Sequence, residues 1–263
     1  MQSFSHYPAI PEPAFIRRAL RVLPDHPCSY FPDRVARSRA FYAEELSPQQ
    51  YHELMDAGFR RSGRVVYQPV CGACRDCVPL RVPVETFSPS KSQRRCWRRN
   101  QDLVVSADEA VADVEAFDLY TRYLRDWHGT DNVNGDDRES FEAFLYDSPV
   151  KTMQMRYRDN AGRLLAVGLC DWCDKRSLSS VYFFHDPAES KRSLGTFGAL
   201  MEIELARRMG IAHYYLGYWI SKCSTMQYKA SFRPCELLHG DGVWRRMDQS
   251  PPPRAGADSG GGF

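Results

Sequence analysis

No stretch of this 263-residue chain stays apolar over the roughly 20 residues that a membrane-spanning helix needs, so no membrane partner is expected. The opening residues, MQSFSHYPAIPEPAFIRRAL, offer no charged leader followed by an apolar segment, so a secretory signal is not expected either. No internal repeat is visible, and no serine stands in the G-x-S-x-G turn of a nucleophile elbow, which argues against a Ser/His/Asp triad. Acidic residues are scarce in one place: residues 60–99 hold ten Lys or Arg against only Asp76 and Glu85. Disulfides are not expected, because nine cysteines, an odd number without a leader, fit a reducing cytoplasm.

What is present is an ordinary globular composition, 43% hydrophobic and 26% charged, able to bury a core. At about 150 residues per domain, the length suggests one large or two modest domains. The net charge of +2 conceals a local +8 over residues 60–99, which leaves −6 for the rest. A surface that basic is the footprint of phosphate recognition, although a solvated basic loop has the same composition.

Residues 1–27 are proline-rich and read as an extended arm. SPQQYHELMDAGF reads as a helix, with Ser47 as its cap, Pro48 in the first turn and Gly58 at the C′ position. Tyr51, Leu54, Met55 and Phe59 supply its apolar stripe. GRVVYQPV and VPLRVPV read as strands on either side of a cysteine turn. EAVADVEAFDLYTRYLRDWH reads as an amphipathic helix from Glu109 to His128, with Val111, Val114, Phe117, Tyr120 and Leu124 in phase. KTMQMRYR, RLLAVGLCDWC and SLSSVYFFHD then form a meander, followed by the helix TFGALMEIELARRMG and the strand IAHYYLGYWI. Three antiparallel strands, a helix and a further strand is the core order of an acetyltransferase-like domain. The expected fold is therefore α+β: a small cysteine-bearing N-terminal α/β domain (residues 1–100), a GNAT-type C-terminal domain (101–246) and a disordered tail (247–263) rich in Pro, Gly and Ser.

The turn CGACRDC places Cys71, Cys74 and Cys77 at CxxCxxC spacing. Three thiolates so spaced can face one ion, but a tetrahedral site needs a fourth ligand from elsewhere.

Several separate strings resemble the arginyl-tRNA–protein transferase family, and within it the bacterial aspartate/glutamate leucyltransferase branch. They are CSYFPDRVAR, LMDAGFRRSGRVVYQP, CGACRDCVPLRVPV, FSPSKSQRRCWRRN and YWISKCSTMQYKASFRPCELL, and the resemblance runs from about residue 15 to 245. It implies a cytoplasmic enzyme that moves leucine from Leu-tRNA to the N-terminal Asp or Glu of a protein, marking that protein for N-end rule degradation. Its implied partners are the charged tRNA and those protein substrates, with neither membrane nor DNA. It also implies that N-terminal cysteines bind a cluster. Cys28 matches the first position of a paired CxxC motif, whose second position here is Phe31. Cys28 with Cys71, Cys74 and Cys77 would make a four-thiolate set for zinc or an iron–sulfur cluster, free-thiol redox sensing being the alternative. Cys96, Cys170, Cys173, Cys223 and Cys235 read as buried hydrophobes.

The implied reaction is aminolysis of an ester, which requires no cofactor. An α-amine of pKa about 7.7–8.0 is partly nucleophilic near neutrality, so positioning and oxyanion donors can supply most of the acceleration. An acidic acceptor side chain calls for an Arg fork. Arg60, Arg61 and Arg233 sit inside the resembling strings, with salt bridges to Asp56 or Glu236 as the structural alternative and tRNA contact as another for Arg61. Tyr228 and Lys229 are the candidate catalytic residues, with His185 and Asp186 also considered for proton handling. For tRNA, Lys91, Arg94, Arg95, Arg98 and Arg99 interleave with Trp97, and in helical geometry Lys91, Arg94, Arg95 and Arg98 share a face. Strand alternation sends Tyr215 and Trp219 to one face and Tyr214 and Tyr218 to the other, one pair being available to stack the terminal adenosine. RSLGTFG is similar to a coenzyme A phosphate loop, but Phe197 stands where a small residue is usual, and coenzyme A dependence is not expected. The alternatives are arginine as the donated residue, or a non-catalytic RNA-binding protein with a metal knuckle.

Overall fold

The computed structural model describes residues 14–72, 74–128 and 137–247. Residues 1–13 of the expected arm and 248–263 of the expected tail lie outside the described residues. The rest of the arm is not wholly extended: it forms α1 (Ala14–Ala19), β1 (Arg21–Val22) and β2 (His26–Pro27), and β2 pairs with β3 (Val35–Ala36). β4 (Ser38–Tyr42) follows, then α2 (Pro48–Asp56), β5 (Arg60–Ser62) and β6 (Val65–Pro69), giving an antiparallel sheet in the order β1-β4-β6-β5.

α2 forms where its caps require. Ser47 accepts from the Gln50 backbone amide, and the Gln50 side chain accepts in return from that of Ser47. Tyr51, Leu54 and Met55 are buried with Phe41, Phe59 and Val66, and the same cluster takes in Cys173 and Tyr215 from farther along the chain. At about 1.5–3 kcal/mol for each large apolar side chain buried, this cluster joins the N-terminal sheet to the rest of the molecule.

The second sheet is built from β7 (Val78–Pro83), β8 (Val104–Glu109), β9 (Thr152–Arg158), β10 (Leu164–Cys173), β11 (Ser177–His185), β12 (His213–Trp219), β13 (Glu236–Leu238) and β14 (Trp244–Arg246). Its order is β14-β13-β7-β12-β11-β10-β9-β8, antiparallel throughout except for the parallel β11–β12 pair. The helices are α3 (Lys91–Arg99), α4 (Val114–His128), α5 (Arg138–Phe141), which runs into a π-helical turn, and α6 (Leu194–Arg208). The meander, helix and closing strand expected of an acetyltransferase-like α+β core are β9, β10, β11, α6 and β12. β7 and α3, although they precede residue 100, are built into this larger layer. α3 and α6 pack on one face of the sheet, while α2 and α4 pack on the other.

The helix expected over 109–128 is shorter. Glu109 ends β8, and α4 begins at Val114, where the Asp113 carboxylate accepts from the Ala116 amide at 2.8 Å. Val111 and Val114 are exposed, and Ala116, Leu119, Tyr120 and Tyr123 face the sheet instead. Among the described residues no helix is long and apolar enough to cross a membrane.

Two irregularities position the site. The β11–β12 pairing ends at Ser179↔Tyr215, although β11 runs on to His185 and β12 to Trp219, so the two strands part. β12 also carries a bulge against β7, between Tyr215 and Gly217, and Gly217 has φ +83°. Only glycine adopts that backbone without strain.

Candidate active site

The bulge decides which way the β12 side chains point. Tyr214 donates to Glu202 on α6, and Leu216 and Trp219 pack in that same α6-side cluster. Tyr215 and Tyr218 face the other way: the Tyr215 hydroxyl donates to Asp56, and that of Tyr218 donates to the Gly58 carbonyl at 2.9 Å. The expected pairing of Tyr215 with Trp219, and of Tyr214 with Tyr218, is therefore corrected. One inserted residue reverses the alternation. Tyr215 is fully buried against Asp56, Arg81 and Trp244, so its ring is not open to a base, and the Trp219 indole donates to the Gln227 carbonyl at 3.3 Å.

The short helical turn Gln227–Ser231 lies beside the parted strands and turns consecutive side chains in different directions. Lys229 approaches the bulge so closely that a Cβ on Gly217 would lie 3.2 Å from its Nζ. Burial, then the nearby Arg60 cation, pushes the Lys229 pKa down to about 7, against Cys223 and Cys77 which favour its charge. Tyr228 is 41% exposed, packs its ring on Phe232, and lies within electrostatic reach of Glu202 and Tyr123. Burial raises its pKa to about 12, so it stays protonated and can donate. At the end of β11, His185 packs edge-on against Tyr123, and Asp186 caps the next turn by accepting from the Ala188 amide.

Arg60 and Arg61 are neighbours on β5, and alternation separates their roles. Arg61 makes a two-pronged pair with Asp171 of β10, both contacts at 2.7 Å, and also donates to Thr152 at 3.1 Å, all out of solvent. Its fork is already occupied, so it clasps the N-terminal sheet to the large one. Arg60 lies among tyrosines, 5.2 Å from the Tyr215 ring centroid, with Tyr67 opposite it in the β5–β6 register and Tyr67 next to Tyr218. Arg60 is 6% exposed, and all three of its guanidinium nitrogens lack a hydrogen-bond partner among the described residues. Arg233 is half-buried, and its Nε donates to the Ala230 carbonyl at 3.1 Å. Asp56 and Glu236, considered as partners for these arginines, are both taken by Arg81, at 2.7 Å each.

On the α6 side, Glu202 is 1% exposed. Its Oε2 accepts from Tyr214 at 2.5 Å, while Oε1 has no partner of hydrogen-bond geometry among the described residues. Burial, partly offset by Tyr214, Ser180 and Cys170, pushes its pKa up to about 7.

The basic stretch is the helix α3, opened by a capping box of Ser90 and Gln93. Lys91, Arg94, Arg95, Arg98 and Arg99 are exposed, whereas Gln93, Cys96 and Asn100 turn inward. Trp97 is half-buried and packs edge-on against Phe197 at 5.7 Å, so it anchors the helix and is not a free stacking ring. Arg99 is turned back to donate to the Lys191 carbonyl. Phe197 itself is buried in the first turn of α6, filling with an aromatic ring the place where a phosphate loop would be open.

Cys28, Cys71 and Cys74 all come within electrostatic reach of Cys77. They do not form a ligand set: among the described residues no three His, Cys, Asp or Glu are arranged to hold a metal ion. The Cys74 sulfur lies 3.6 Å from Arg34, the Cys71 thiol donates to the Arg37 carbonyl, and burial, then the neighbouring Cys71, Cys74 and Cys28, raises the Cys77 thiol to about 12. As placed among the described residues, these thiols do not fit a zinc ion or a cluster. Cys96, Cys170, Cys173 and Cys235 are buried as expected, while Cys223 is only half-buried.

Sequence reading passed over Arg81, Asp171, Glu202 and Gly217. Two of these had a signal: Asp171 interrupts the apolar strand LLAVGLCDWC, and Glu202 stands between Gly198 and Ala206 on the buried stripe of α6. An acid in a core phase is rarely there to be solvated.

Residues 26–95 match the family model described as arginine-tRNA-protein transferase, N terminus, and residues 115–239 match the one described as arginine-tRNA-protein transferase, C terminus. The chain is 40% identical over 215 residues to an aspartate/glutamate leucyltransferase of Saccharophagus degradans, covering 81% of this chain and 90% of that one. It is 38% identical to the protein of that name from Chromobacterium violaceum (85% and 92% covered) and 42% identical to one from Stenotrophomonas maltophilia (82% and 88%). Among solved structures it is similar to the C-terminal domain of a putative lysylphosphatidylglycerol synthetase from Agrobacterium fabrum, at 16% identity and a TM-score of 0.48, covering 79% of this chain and 65% of that one.

Proposed function

Because this chain belongs to the arginine-tRNA–protein transferase family, we infer that it moves leucine from Leu-tRNA to the N-terminal Asp or Glu of protein substrates, which marks them for N-end rule degradation. The observation that carries the acceptor half of this reading is Arg60. A buried guanidinium with no partner is a costly group to keep, and a substrate carboxylate gives it one. Arg61 cannot serve while Asp171 holds it.

With the acceptor side chain on Arg60, its α-amine lies toward Lys229 and the parted strands. The amine nitrogen attacks the leucyl carbonyl, the C–N bond forms, and the ester bond to the terminal ribose breaks. Lys229, neutral in a large fraction near pH 7, takes the proton from the nitrogen and returns it to the departing ribose oxygen. Tyr228, protonated throughout, donates to the developing oxyanion. The exposed face of α3 (Lys91, Arg94, Arg95, Arg98) meets the tRNA backbone. Use of a charged tRNA supports a cytoplasmic setting, and aminolysis needs no cofactor.

Peptides beginning with Asp or with its uncharged isostere Asn test the reading. Leucine should transfer to the Asp peptide in strong preference. Equal transfer to both would remove Arg60 from acceptor recognition.

A further inference from the structure

Glu202 is a buried acid that the mechanism above does not use. Tyr214 donates to one of its oxygens, and the Ser180 hydroxyl and Cys170 thiol lie nearby. The other oxygen, Oε1, is buried and unpartnered, and it points at Gly168, where a Cβ would lie 2.7 Å away. The neighbours in phase with Glu202 on α6, Gly198 and Ala206, are small and apolar, so a methionine or leucine would serve simple packing at this position. No ion pair reaches Glu202 among the described residues, and only neutral donors attend it. A buried carboxylate with an open oxygen is stabilised most by a cation, and here the cation must come from outside.

The reaction brings two amino groups. The acceptor's belongs with Arg60 and Lys229 on the α2 side of the sheet. The donor's, on the leucyl ester, remains an ammonium or amine that takes no part in bond formation. Glu202 lies on the α6 side, where β11 and β12 part. Tyr228, 41% exposed, lies within electrostatic reach of both Glu202 on that face and Tyr123 of α4 on the other. Phe183, half-buried beside Glu202 and lying over Gly168 and Gly198, offers an apolar wall.

We propose that Glu202 is the subsite for the α-ammonium group of the leucyl donor, with Phe183 against the leucyl side chain. The proposal rests on the leucyltransferase reading and assigns it a donor-recognition residue. Gly168 is small because the carboxylate lies over it, and Tyr214 fixes the carboxylate with Oε1 turned toward Gly168.

The test compares Leu-tRNA with a tRNA esterified by the 2-hydroxy analogue of leucine, which replaces the ammonium by a hydroxyl of similar size. Transfer to an Asp peptide is measured for the wild type and for Glu202→Gln. Wild type should prefer the natural donor on the order of ten- to a hundredfold in kcat/KM, the scale of one charge-assisted hydrogen bond. Glu202→Gln should lose most of that preference by slowing the natural donor alone. Equal slowing of both donors, or a preference unchanged in the variant, overturns the proposal. So does a wild type indifferent to the ammonium, a result that needs no variant to fold. If Glu202→Gln is unfolded by circular dichroism, Glu202→Asp, which retracts the charge by one methylene, should show an intermediate preference, and an unchanged one refutes the assignment. Absence of leucine transfer from either donor would instead refute the leucyltransferase reading itself.

Discussion

Replacing Arg60 by methionine should move activity and stability in opposite directions. In the free protein the guanidinium is 6% exposed, with three unpartnered nitrogens. An unpaired polar group in that position costs about 1–3 kcal/mol. Its stacking on Tyr215, at 5.2 Å, returns about 0.5–1 kcal/mol. The burial cost therefore wins, and Arg60→Met should unfold at the same or a higher temperature, by roughly 2–4 °C for each kcal/mol gained. Transfer to an Asp peptide should fall by about ten- to a hundredfold, because a charge-assisted hydrogen bond is worth about 1.5–3 kcal/mol. Transfer to an Asn peptide should barely change. Calorimetry and single-turnover transfer with both peptides read the two effects separately. A variant that loses stability, or that keeps the wild-type preference for Asp, would refute the reasoning.

Four further outcomes follow from the same geometry. The rate of transfer should rise with pH through about 7, because Lys229 acts in its neutral form and its pKa is depressed there by burial and by Arg60. In Arg60→Met that limb should shift to higher pH, since one cause of the depression is gone, and Lys229→Met should abolish it. Breaking the buried Arg61–Asp171 clasp with Asp171→Asn should cost about 3–5 kcal/mol in urea unfolding, because it leaves a buried charge alone, whereas a surface pair such as Arg125–Asp126 should give under about 1 kcal/mol. Neutralising Lys91, Arg94, Arg95 or Arg98 singly should lower the slope of log tRNA affinity against log salt by about 0.7–0.9 for each phosphate no longer neutralised, with acceptor preference unchanged. Trp97→Ala should instead destabilise the fold, because that ring packs on Phe197.

Local chemistry was legible where it acts locally. The Ser47 cap, the strand–turn–strand meander and the apolar stripe of α6 follow from residues within a turn or two of one another. The site depended on contacts that sequence spacing does not encode. β7 joins the large sheet by pairing with β12, more than a hundred residues away, and that pairing creates the bulge at Gly217 that reverses the tyrosines. Arg60 and Arg61 look alike on paper, but alternation gave one to Asp171 and left the other unpartnered. Trp97 read as a stacking ring because its neighbours are basic, and it packs inward because the helical period places it near Cys96 and Asn100. The helix start at Val114 was obscured because exposed valines at 111 and 114 happen to keep the helical phase.

The measurement that tests the account most directly is transfer of labelled leucine from Leu-tRNA, with Arg-tRNA in parallel, to peptides beginning with Asp, Glu, Asn or Lys. Leucine should appear on the Asp and Glu peptides alone. Arginine on those same peptides would keep the chemistry and contradict the donor, and no transfer from either tRNA, with tRNA still bound, would contradict the reading of Arg60 and Lys229 as parts of an active site.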